Sequence, residues 1–102
     1  MGSFRNSSAY FGSPDIQTST QNQEIIQQHK PSEWSIKKLT VSRFNFYNEQ
    51  NCHIKINEGE PIFIRAGQGF EMDMYDGELI SFVIVEANIN YNYMGNYYII
   101  NN

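Results

Sequence analysis

Cysteine occurs once in the 102 residues, as Cys52, so no disulfide can form within the chain. Histidine occurs twice, and His29 and His53 lie too far apart in sequence to make a local ligand cluster. No apolar run reaches the roughly 18 residues of a membrane span. The longest such stretch, residues 79–85, is interrupted by Ser81. The opening residues lack the pattern of a signal peptide, and Met-Gly-Ser is either native or a cloning scar. Positive charge is scarce, with 7 Lys and Arg against 11 Asp and Glu and a net charge of −4. Six of the acids (Glu58, Glu60, Glu71, Asp73, Asp76 and Glu78) crowd around Arg65, which makes nucleic acid a poor partner. A small domain without disulfides or a metal cluster gains its remaining stability from partners, which points to oligomerisation.

Short apolar runs are abundant in residues 51–94, separated by turns that carry Gly and Asp. This pattern predicts a compact antiparallel β domain built almost hairpin by hairpin. Cys52, Ile54 and Ile56 alternate with His53, Lys55 and Asn57. Ile62, Ile64 and Ala66 face in, with Phe63 and Arg65 outward. Phe70, Met72 and Met74 face in, with Glu71, Asp73 and Tyr75 outward. Residues 79–85 are apolar on both parities and read as a central strand covered on two sides. Ile89, Tyr91 and Tyr93 alternate with Asn88, Asn90 and Asn92, and residues 97–100 form a last short strand. Upstream, Trp34 and Ile36 share one parity, Leu39 and Val41 the other, and Phe44 and Phe46 return to the first, so bulges or a bend are expected. Gly67-Gln68-Gly69 is a turn needing positive φ, since no Lys-Ser or Lys-Thr follows to make a phosphate loop. The expected fold is all-β: a small antiparallel β-sandwich, jelly-roll-like, of six or seven strands over residues 32–102.

Residues 1–31 are rich in Ser, Gln, Asn and Thr. They read as an extended N-terminal arm that buries too little surface to offset its ordering entropy alone. A short helix is expected over residues 18–29, capped by Thr18 or Ser19, with Ile25-Ile26 its only apolar contact and Lys30-Pro31 its end. Phe4, Tyr10, Phe11 and Ile16 are spaced as partner-binding anchors. The arm either crosses neighbouring subunits or packs on its own domain.

No catalytic, cofactor-binding or metal-binding residue is assigned, and no cofactor is expected. Glu71, Asp73, Asp76 and Glu78 lack a calcium-loop spacing and read as a solvated acidic face. Cys52 and His53 are adjacent on a strand, so they point to opposite faces and cannot pair as nucleophile and base. Tyr91, Tyr93 and Tyr97 present three readings: sugar stacking, a subunit contact, or packing within the sheet.

The stretch CHIKINEGEPIFIRAGQGFEMDMYDGELISFVIVEANINYNYMGNY, residues 52–97, resembles small virion proteins of tailed bacteriophages. The likeness is carried by "IKIN" leading into "EGEPIFIRAGQGF", then "ISFVIVE", then the aromatic and Asn-rich "NYNYMGNY". Thirteen Ile and twelve Asn against three Ala fit AT-rich coding, as in phages of low-GC bacteria. The resemblance implies a non-enzymatic virion structural protein, made in the bacterial host cytoplasm and present in many copies. A head-associated decoration or stabilising subunit anchored by its arm is expected, with a neck or tail-ring subunit as the alternative. Its partners would be copies of itself and other virion proteins (the major capsid or neck and tail subunits), with no nucleic acid and no membrane. A carbohydrate-binding β-sandwich module using the tyrosine face is the competing class.

Overall fold

The computed structural model describes residues 5–26 and 38–101. Nine strands form among them: β1 (Arg5–Gly12), β2 (Gln17–Thr18), β3 (Gln23–Glu24), β4 (Lys38–Asn48), β5 (Cys52–Ile56), β6 (Ile62–Ile64), β7 (Phe70–Asp73), β8 (Phe82–Ile84) and β9 (Asn90–Asn101). A 3-10 turn, Met74–Asp76, follows β7. The strands pair antiparallel in two sheets, ordered β1-β9-β4-β7, with β2 also on β9, and β3-β8-β5-β6.

Taken as one interrupted strand along β9, β1 and β2 give eight strands in jelly-roll order. The β-sandwich expected from the sequence is therefore observed, with more strands than the six or seven read from residues 32–102. The additional strands come from the segment read as an arm.

Hairpins are few. Among the described strands only β5 and β6 are sequence neighbours that also pair. Their turn has Asn57 and Glu58 at positive φ, 53° and 63°, as tight hairpin turns require. From β2 onward every other connection crosses between the sheets. Asp76-Gly77, which reads as a hairpin signal, ends the 3-10 turn and directs the chain from the first sheet to the second.

Alternation explains the core. Phe44 and Phe46 of β4 and Tyr91 and Tyr93 of β9 point inward from the first sheet, and Ile54, Phe82 and Ile84 from the second; all are buried. Phe82 is the wedge between the layers, its ring centroid 5.0 Å from Phe44, 4.9 Å from Phe46 and 5.8 Å from Phe70. The register of β4 on β9 shifts between Val41 and Arg43, and this bulge lets Val41 and Phe44, of opposite parity, both be buried. Trp34 and Ile36 lie outside the described residues. Gly95 sits between Phe11 and Phe44 in register. A Cβ there would meet Arg43 O at 2.6 Å and the Phe11 ring at 2.8 Å, so only glycine fits.

Residues 5–26 are integral to the sandwich: of the two expected placements, packing on its own domain is observed, as strands and not as an arm laid over a finished fold. Eight consecutive residues of β1 pair with β9. Ser19 is buried and stitched to the loop before β9: its N–H donates to Ile89 O (2.8 Å), its Oγ donates to Glu86 O (2.7 Å) and accepts from Ile89 N (3.0 Å). Ile25 and Ile26 are buried in the common core, and Ile25 N–H donates to Phe82 O at 3.0 Å. The expected helix is absent over residues 18–26, where the chain forms β2, a turn and β3; residues 27–29 lie outside the described range. A short polar helix is marginal alone, whereas these edges satisfy its backbone and bury both isoleucines.

Residues 79–85 form a three-residue central strand flanked by irregular chain. Phe82 and Ile84 are buried and Val83 between them is half-buried, while in the chain before the strand Leu79 and Ser81 are buried and Ile80 is exposed, so the cover expected on both sides is partial. Ile62 and Ala66, expected inside, are also exposed: Ile62 begins a three-residue edge strand and Ala66 lies in the turn beyond it.

Candidate functional site

Register builds a polar surface on the outward face of the first sheet. Tyr10, Asn96, Arg43 and Asp73 form one row across β1, β9, β4 and β7. Gly12, Met94, Asn45 and Glu71 form the next row but one, and the intervening row (Phe11, Gly95, Phe44, Met72) points into the core. With Ser42, Gly95 and Tyr75, the residues Tyr10, Asn96, Arg43, Asp73, Asn45 and Met94 line an open groove of about 500 Å³. Tyr10 and Tyr75 stand at its ends, 80% and 90% exposed. A capping box holds Tyr75 in place: Asp73 Oδ1 accepts Tyr75 N–H and Asp76 Oδ2 accepts Asp73 N–H, both at 2.9 Å. Those carboxylates thus anchor a turn. No group of three or more His, Cys, Asp and Glu suited to a metal occurs among the described residues.

The second sheet carries an ion pair on its outward face. Glu86 Oε1 accepts His53 N–H at 2.8 Å, and Oε2 accepts from His53 Nδ1 at 2.6 Å. Burial alone would raise the Glu86 carboxyl, but the two hydrogen bonds from His53 and its charge outweigh that and hold it below the ordinary 4.5. The His53 ring also meets Phe63 edge-on at 5.5 Å. Neighbouring Cys52 points the other way, 1% exposed in the core. Burial first, then the Glu86 charge, push its thiol up to about 11, so it is neutral at physiological pH and a poor nucleophile.

No protein-family model and no curated protein matches this sequence.

The structure separates the residues expected to bind partners. Tyr10 and Ile16 are exposed and accessible. Phe11 is turned inward, its ring 6.4 Å from both Phe44 and Tyr93. Tyr91 and Tyr93 are buried and stack on each other at 6.0 Å, so of the three readings packing within the fold holds for these two, and they offer no contact surface. Alternation places Asn92 and Met94 outward in their stead. Phe4 and the side chain of Tyr97 lie outside the described residues. Tyr75, Arg43, Asn45 and Asn96 were not singled out by sequence reasoning. Strand register brings Arg43, Asn45 and Asn96 together and the capped 3-10 turn adds Tyr75, and outward parity is the one signal available in advance.

Backbone edges form a second feature. Edge strands β3, β6 and β7 have two, three and four residues, a length that limits pairing with another chain. β1 has eight, with Arg5 at its start as its one charge and without Lys, Pro or a bulge against β9. Ser13 N–H donates to Tyr93 O at 3.1 Å, which sets the phase of the ladder. Arg5, Ser7, Ala9 and Phe11 therefore bond β9, and the N–H groups of Asn6, Ser8 and Tyr10 point away from it, to an edge that no described strand covers.

Proposed function

We propose that this chain is a non-enzymatic structural subunit of a tailed-bacteriophage virion, a head-associated jelly-roll module. It joins copies of itself and surrounding virion proteins through the β1 edge. The observation that carries this reading is the outer backbone edge of β1, which is unpaired among the described residues. Monomeric β proteins guard such edges with short strands, charges, prolines or bulges, and the other three edges here are short. Jelly-roll order supports it at the level of fold, since capsid domains share that order with lectins and cupins. The resemblance of residues 52–97 to phage virion proteins supports it independently. Two copies meeting edge to edge about a two-fold axis would continue the first sheet through antiparallel β1 strands. Weak contacts of this kind become effective in a lattice through avidity.

The test is Ser8→Pro, which removes one outward N–H and leaves the β1–β9 ladder intact, because proline is tolerated on an edge strand. Sedimentation velocity across a micromolar concentration series should show association of the parent and none for Ser8→Pro, with both melting alike. Association unchanged by Ser8→Pro would remove β1 from the interface. A parent that stays monomeric throughout would refute self-pairing.

A further inference from the structure

We infer that the outward face of the β1-β9-β4-β7 sheet is a binding site for a short neutral oligosaccharide. This goes beyond the assembly reading and does not depend on it, since assembly uses the backbone edge of β1 and this site uses side chains on the sheet face.

The chemistry of the groove selects the ligand. Tyr10 and Tyr75 present rings that the fold leaves almost wholly in solvent, one at each end. An exposed tyrosine offers a flat apolar face with a polar tip, which suits the CH-lined face of a pyranose ring. Between the tyrosines lie the amides of Asn96 and Asn45 and the guanidinium of Arg43. None of these three side chains makes a hydrogen bond or ion pair with another described residue, so their donors and acceptors face the groove. Amides both donate and accept, as hydroxyl-dense ligands require.

Charge narrows the class. Glu71, Asp73 and Asp76 surround Arg43 on its β7 side, three carboxylates beside one guanidinium. A phosphorylated, sulfated or carboxylated sugar would be repelled. A neutral polyol escapes that penalty. Size agrees as well: the row from Tyr10 to Asp73 crosses three strand spacings, roughly 14 Å, enough for two or three sugar rings laid across the strands. The capping box of Asp73 and Asp76 fixes the turn that carries Tyr75, so one wall of the site is preorganised.

The experiment is an NMR titration of the full-length protein, following backbone amides. The probes are glucose, galactose, mannose and N-acetylglucosamine, their neutral di- and trisaccharides, and sialic acid as the charged comparison. Expected are millimolar binding by at least one neutral oligosaccharide, with shifts confined to the neighbourhood of Tyr10, Arg43, Asn45, Tyr75 and Asn96. Tyr10→Ala and Tyr75→Ala, both at exposed positions, should each weaken that binding at least about fivefold. Phe63→Ala, on the opposite sheet, should leave it unchanged. Absence of shifts at tens of millimolar sugar would overturn the proposal. So would equal binding by the tyrosine variants, or binding confined to sialic acid.

Discussion

Replacing Asn48 by alanine should destabilise the sandwich severely, although Asn48 touches neither candidate surface. Its side chain is fully buried at the end of β4. The amide nitrogen donates to Gln50 O at 2.8 Å and to Arg65 O at 3.0 Å, with a weaker approach to Ile64 O at 3.4 Å. The amide oxygen accepts Gly69 N–H at 3.0 Å. Asn48 also uses its backbone carbonyl, which accepts Gly67 N–H at 2.7 Å. One residue thus ties the β4–β5 turn to the Gly67–Gly69 loop that carries the chain from one sheet to the other. Alanine would strand the Gly69 donor and the Arg65 and Gln50 acceptors. Each partner left unpaired costs about 1–3 kcal/mol when buried, less where water reaches it, so a total of about 3 kcal/mol is expected. In a domain of this size that lowers the melting temperature by roughly 12–24 °C. Circular dichroism melts of the parent, Asn48→Ala and Asn48→Asp would measure it. Aspartate preserves the volume and the acceptor but sets a carboxylate against three carbonyl oxygens, so it should be at least as damaging as alanine. A loss below about 1 kcal/mol for alanine, or an aspartate variant near parental stability, would refute the hydrogen-bond argument.

Three further outcomes follow from burial and pairing. Ile84→Asp places a carboxylate at a fully buried position between the sheets, so the variant should show no cooperative melt; a soluble protein with a sharp transition would contradict the core assignment. Glu86 is held below 4.5 in the folded state, so the stability it contributes is complete above that value and is lost as pH falls through the lower folded value. Glu86→Gln should therefore be less stable near neutral pH and show a flatter acid limb in urea titrations. Ser81 Oγ is buried without a hydrogen-bond partner among the described residues, and Ser81→Ala should raise the urea midpoint by an amount equivalent to about 1 kcal/mol.

Much of the fold was legible because alternation carries it. Cys52, Ile54 and Ile64 face the core as their parity predicts, and Gly67 and Gly69 adopt the positive φ that their turn demands, 79° and 70°. The strands of the N-terminal segment were not legible because its apolar content is low. Its order comes from β9 and β8, distant partners that supply backbone hydrogen bonds and a pocket for Ile25 and Ile26, and no local pattern announces them. Asp76-Gly77 misled for a related reason. A turn dipeptide says that the chain reverses, whereas pairing across the sandwich decides which sheet it enters. The aromatic residues of β9 show the limit for function. Tyr91 and Tyr93 looked like a surface by composition and are core by parity, while exposed Tyr10 and Tyr75 come from separate elements.

Deleting residues 1–31 would remove β1, β2, β3 and two core isoleucines, so loss of assembly by such a truncation would report unfolding. The most direct measurement is quantitative mass spectrometry of this chain across a density gradient of particles from cells that produce it, with parent and Ser8→Pro in parallel. The account predicts that the parent co-bands with DNA-filled particles in many copies and that folded Ser8→Pro stays at the top. Parent protein remaining in the soluble fraction would contradict it.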